Sequence, residues 1–140
     1  MTVSEPVGPM GNGVTSGAYS NIISTLAGIR HTVAAGAWPT RGLAERAGVL
    51  VTNGAMSSLL LRCADGRYLR AARFWLQVAS YLDDDAHIYQ HVAALRLATQ
   101  CADTGGNASF ARNCMKRAAA AECQCRIDPK PGPAVVSRPD

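Results

Sequence analysis

Residues 38–69 read WPTRGLAERAGVLVTNGAMSSLLLRCADGRYL, and their punctuation decides the fold class. Proline disfavours the helical conformation in the residue before it, so Trp38 is extended and a helix starts just beyond. Thr40 is a preferred N-cap type. The helix it opens runs through Ala47, with Leu43 and Ala44 turned inward. Gly48 tolerates positive φ and is expected to make a sharp turn. Thr52 or Asn53 then caps a second helix, on which Met56, Leu59 and Leu60 recur three to four residues apart. Asp65-Gly66 marks the next turn. The chain shows no long period-two alternation, although the first residues of RYLRAARFWL (67–76) are compatible with a short β-wing. The expected fold class is all-α: a small helical bundle. Its N-terminal half is a helix-turn-helix, with or without a wing, and its C-terminal half is a helical hairpin plus a third helix.

The same signals extend outward. Ile22, Leu26, Ile29 and Val33 repeat as one apolar helix face. Ser20 or Asn21 can cap that helix, and Gly36 ends it. Downstream, Tyr68, Leu69, Ala71, Ala72, Trp75, Leu76 and Ala79 form a wide apolar face, with Arg67, Arg70 and Arg73 towards water. Asp83, Asp84 and Asp85 suit the start of the following helix, where negative charge complements the dipole. That helix is expected to reach about residue 99, burying Ile88, Val92, Leu95 and Leu97 or Ala98. Thr104-Gly105-Gly106-Asn107 is a break. A last helix over residues 108–123 packs through Phe110, Cys114 or Met115, and Ala118. The organisation that follows is a tail (1–18), a helix-turn-helix head (19–65), a hairpin with a C-terminal helix (66–126) and a Pro-rich tail (127–140). Both tails are too poor in periodic apolar residues to offset the entropy of ordering them.

Composition narrows the function. No apolar run approaches the roughly 20 residues that span a bilayer, and no basic segment precedes an apolar one near the N-terminus. A cytoplasmic location without membrane contact is expected. The five cysteines are an odd number, which in a reducing compartment reads as buried apolar residues or free thiols. His87 and His91 have a metal-compatible i, i+4 spacing, but no Glu lies between them as in zinc proteases and no third ligand suggests itself. The gaps among Cys101, Cys114, Cys123 and Cys125 match no common zinc motif. Three consecutive aspartates at a helix start cannot converge on one substrate atom, and the Thr104–Asn107 break lacks the basic residue and preceding strand of a phosphate loop. No metal, no cofactor and no catalytic residues are expected, which leaves binding as the activity.

Charge suggests the partner. Residues 40–75 hold six arginines (Arg41, Arg46, Arg62, Arg67, Arg70, Arg73) against Glu45 and Asp65, in a chain of net charge +4. A basic half suits an anionic partner. The capped helix, glycine turn and second capped helix are similar to the helix-turn-helix of bacterial regulators, with Ala44 at the crossing and Gly48 at the turn. In that arrangement the second helix enters the major groove of duplex DNA. Thr52, Asn53, Ser57, Ser58 and Arg62 would then face bases or phosphates, and Arg41, Arg46 and Arg67 the flanking backbone.

Residues 64–79, ADGRYLRAARFWLQVA, resemble the PerC family of small enterobacterial and phage regulators, and the related ANR-type regulators, in their Gly, aromatic, alanine pair and Trp. Gly66, Tyr68, Ala71, Ala72, Trp75 and Leu76 carry the resemblance. Asp85-Ala86 stands near the family's helix start, whereas Cys101 falls a few residues late after Arg96. The resemblance implies a transcriptional regulator. The alternative is an adaptor or anti-regulator that binds a regulatory protein through Tyr68 and Trp75. The oligomeric state stays open, a homodimer included.

Overall fold

The computed structural model describes residues 10–127, and side chains for residues 20–124. Among them are six α-helices and no strand: α1 (Met10–Ala35), α2 (Arg41–Val51), α3 (Ser57–Arg62), α4 (Tyr68–Tyr81), α5 (Ile88–Thr104) and α6 (Ala108–Ile127). The expected all-α bundle is what the chain forms. The wing is absent, because Tyr68 opens a helix of fourteen residues. The expected N-terminal tail is also shorter, since α1 already begins at Met10. The remaining parts of both expected tails, residues 1–9 and 128–140, lie outside the described residues.

Local chemistry sets most of the ends. Thr40 caps α2, its Oγ1 accepting from the Leu43 N–H at 3.1 Å. Asn107 caps α6 in the same way, accepting from Phe110 at 3.0 Å. The ends of α1 and α5 are Schellman turns. Gly36 and Gly106 take φ of 65° and 82°. The next amide reaches back across each turn, from Ala37 to the Thr32 carbonyl and from Asn107 to that of Ala102. α5 and α6 both run several residues beyond their expected ends.

The bundle is built on two antiparallel pairs, α4 with α5 and α5 with α6, and α2 packs across α4 and α5. The buried faces are dominated by small residues: Ala44, Ala47 and Gly48 on α2; Ala71, Ala72 and Ala79 on α4; Ala94, Ala98 and Ala102 on α5; Ala111 and Ala118 on α6. Phe74, Trp75, Leu82 and Leu95 fill the volume between them. Ile29 and Val33 bring α1 onto this core, with Ile22 and Leu26 partly buried beside them. On α6, Cys114 points inward and Met115 outward.

Gly48 corrects the sequence reading. It lies inside α2, which continues to Val51, and it is buried. A Cβ there would meet Leu82 Cδ1 at 2.5 Å and Gln90 Oε1 at 2.8 Å. Glycine here serves close packing against Leu82 and Gln90 at the α4–α5 turn, whose side-chain ends would have to shift for a larger residue, and not a turn of its own. The connection comes later, at Thr52-Asn53, and leads through a short 3₁₀ turn (Gly54–Met56) into a six-residue α3. At Gly54 nothing lies within 4 Å of an added Cβ. Opposite effects of two glycine substitutions are expected in urea denaturation. Gly48→Val should lower stability by about 1–3 kcal/mol through overpacking, and Gly54→Ala should raise it by about 0.4–1 kcal/mol by restricting the unfolded chain.

Candidate functional site

The residues expected to contact DNA fall on α2, the α2–α3 connection, α3 and the turn before α4. Thr52 and Asn53 commit their side chains to the α2–α3 connection. Thr52 Oγ1 donates to the Val49 carbonyl at 2.9 Å, and Asn53 Oδ1 accepts from the Ala55 amide at 3.0 Å. Ser57 borders a groove of about 650 Å³ whose other walls come from α5 and α6. Ser58 and Arg62 are exposed on α3. Arg67 stands 3.6 Å from Asp65, and Arg41 stands 3.4 Å from Glu45 on the exposed start of α2. Arg46 is exposed one turn further along α2. Gly48 faces Leu82 and Gln90, so that side of α2 is buried against the α4–α5 turn.

The residues expected to contact a partner protein are also corrected. Trp75 is 0 % exposed and sits edge-on to Phe74, ring centroids 5.1 Å apart. Tyr68 is half-buried against the core, with its Cβ close to Gly105. Both are packing residues because the two alanines beside them, Ala71 and Ala72, let α5 approach closely enough to cover the aromatic face.

The exposed tryptophan is Trp38, at 71 %. It stands in the linker between α1 and α2, where its neighbour Pro39 is buried and anchors the chain. The linker runs over one face of α4. Arg70, Arg73, Gln77 and Tyr81 follow one another there at three- and four-residue intervals, so their side chains share that face. Arg70 Nη1 donates to the Ala34 carbonyl at 2.7 Å, closing the C-terminal end of α1 with a cation. Its guanidinium lies over Gly36. Arg73 and Gln77 border the same groove as Trp38, of about 370 Å³. At the far end Arg41 lies over the Tyr81 ring, 5.9 Å from its centroid. Among the described residues, neither Arg70 nor Arg73 is paired with a carboxylate. The available signal was a tryptophan in a linker of otherwise small residues, GAWPT, which reads at first only as a helix break.

The histidine pair does not converge. His91 is buried, where a half-exposed side chain would be expected, and its Nδ1 is 2.7 Å from the Ala79 carbonyl. A carbonyl can only accept, so Nδ1 carries the proton and ties α5 to the end of α4. His87 instead faces Asp84, Nδ1 to Oδ1 at 2.7 Å. That hydrogen bond, more than any other contact, holds the Asp84 carboxyl below its ordinary range. Among the described residues no three His, Cys, Asp or Glu side chains are grouped to hold a metal. Cys63, Cys101 and Cys114 are buried and Cys123 is exposed. Burial, with the neighbouring Cys114 second, pushes the Cys101 thiol up to about 12. Burial raises Cys63 and Cys114 too, opposed by Arg30 and Arg117 respectively. Low-pKa thiolate chemistry is not available at these three sites.

Comparison of the chain with protein-family models, with curated proteins and with solved structures finds no match. The resemblance of residues 64–79 to PerC-type regulators thus rests on those residues alone. No helix among the described residues is long and apolar enough to cross a membrane.

The Cys101 environment has a measurable consequence. The unfolded thiol ionises near its ordinary value of 9.0 and the folded one near 12. Between these values the unfolded chain has lost a proton that the folded chain retains, so stability falls as pH rises across that window. Urea denaturation from pH 8 to pH 11 should show a steeper loss for the native sequence than for Cys101→Ala, and little difference between their slopes below pH 8.

Proposed function

We propose that this chain is a non-enzymatic, cytoplasmic regulator that associates with nucleic acid through the basic face of α4 and the α1–α2 linker. The observation that carries this reading is the placement of Arg70 and Arg73, unpaired with acids among the described residues, beside the solvent-facing indole of Trp38. Arginine on a phosphate backbone gives affinity, position and steep salt dependence. Arg70 is already held in place by the Ala34 carbonyl, so less side-chain freedom is lost when it meets a phosphate. The six-residue α3, with Arg62 its one charged side chain, offers a weaker grip on a duplex.

A second reading, an adaptor for a regulatory protein, is favoured by the groove between the α2–α3 connection, α5 and α6. Val51, Val92, Ala93 and Leu97 give it an apolar lining, and the Arg96–Glu122 ion pair a polar edge. Tyr89, 60 % exposed, stands at its border. Such a groove suits the apolar stripe of a partner helix.

Gel-shift titrations on duplex and single-stranded DNA at two salt concentrations test the leading reading. Binding should weaken steeply with salt, and Arg73→Ala should reduce the salt slope by about one. Arg70→Ala with Arg73→Ala should lower affinity more than Arg62→Ala with Ser57→Ala. The reverse ranking would return the contact to α3, and no binding at low salt would leave the adaptor reading.

A further inference from the structure

We infer that Trp38 is a stacking platform for an unpaired base, so that the preferred ligand of the basic face is single-stranded nucleic acid. This rests on the proposed nucleic-acid association and specifies its form. Three features of the linker lead to it. The indole is 71 % exposed although the fold has a core able to take a tryptophan, as Trp75 shows at 0 %. Its backbone is fixed on both sides. Gly36 closes a Schellman turn, and buried Pro39 leads directly into the Thr40 cap. The indole therefore projects from a short, anchored segment, and little further ordering is needed when a ligand covers it.

The surroundings select the ligand. A flat, largely apolar ring gains most from another flat ring laid against it, and every base offers such a face once it is unstacked. In a duplex those faces are already covered by neighbouring base pairs, so a single indole cannot reach one without breaking the stack. The guanidinium groups beside the indole match the phosphates that accompany a base. Arg70 and Arg73 border the groove that Trp38 borders, and Gln77, next on the same face, presents both a donor and an acceptor. The groove, about 370 Å³, lies within the lower range of sites that hold a small organic ligand. An acidic protein segment would satisfy the arginines but would leave the indole without a matching flat surface.

Tryptophan fluorescence of the full chain reads this out, because the two tryptophans differ in exposure. The chain is titrated at low salt with oligo-dT, with a duplex of the same length, with heparin as a polyanion lacking bases, and with poly-glutamate. The inference predicts that oligo-dT binds more tightly than the duplex and quenches the exposed, red-shifted emission. Heparin should bind without comparable quenching. Trp38→Ala should weaken oligo-dT binding about tenfold and retain the blue-shifted emission of Trp75, which reports an intact core. Trp38→Phe should recover part of the affinity. Equal, salt-sensitive binding of duplex and single strand, without quenching and unchanged in Trp38→Ala, would overturn the inference and leave the basic-face reading standing. Failure of both DNA forms to bind would remove both. Quenching by poly-glutamate equal to that by oligo-dT would overturn the inference in favour of an acidic protein partner.

Discussion

Close approach of helix backbones, permitted by alanine and glycine at the contacts, is the constraint on which this bundle depends. Side-chain size at a contact sets how far apart two helices lie. With Ala44, Ala47 and Gly48 facing inward, α2 settles directly onto α4, α5 and the turn between them. At Gly48 even a Cβ would reach Leu82 Cδ1 and Gln90 Oε1, which would have to shift. The α1–α2 linker passes along α4, with Pro39 buried and Trp38 turned outward.

A core of small residues leaves space that a few large side chains must fill. Trp75 does this at the centre, in edge contact with Phe74. Its Nε1 is buried without a hydrogen-bond partner. An unsatisfied donor of this kind costs about 1–3 kcal/mol, and the large apolar area of a fully buried indole offsets it. Other polar groups at the helix junctions are satisfied across elements. His91 holds the Ala79 carbonyl, Arg70 holds that of Ala34, and the Cys63 thiol donates to Leu26 at 3.7 Å. These bonds join α5 to α4, α4 to α1, and the end of α3 to α1. They fix the relative placement of helices whose apolar contacts are individually small.

The candidate site inherits its character from this arrangement. Arg70 has one role in the fold and, through its remaining N–H donors, another at the surface. The basic residues that stand near one another in sequence, Arg62, Arg67 and Arg70, lie on different elements and meet different neighbours. Arg62 closes α3, Arg67 faces Asp65 across the turn, and Arg70 reaches the end of α1. Positive charge that looks like one block along the chain is shared among different elements, and its α4 part, Arg70 and Arg73, meets Trp38 from a linker more than thirty residues earlier.

Sequence by itself determined what is local. The apolar periods of α1, α4 and α5, the Thr40 cap, the Gly36 end, the break at residues 104–107 and the aspartates before α5 all depend on neighbours within a few residues, and each was legible, whereas the Asn107 cap and the full length of α5 were not. Gly48 was not. A glycine wanted for its φ and one wanted for its lack of a side chain are the same letter, and only the position of Leu82 and Gln90 separates them. Trp38 and Trp75 posed the same difficulty. Both are aromatic residues near helix starts or faces, and which is covered depends on helices that pack from elsewhere in the chain. Tertiary structure decided these matters because burial and close approach are properties of pairs of elements, whereas capping and periodicity belong to one.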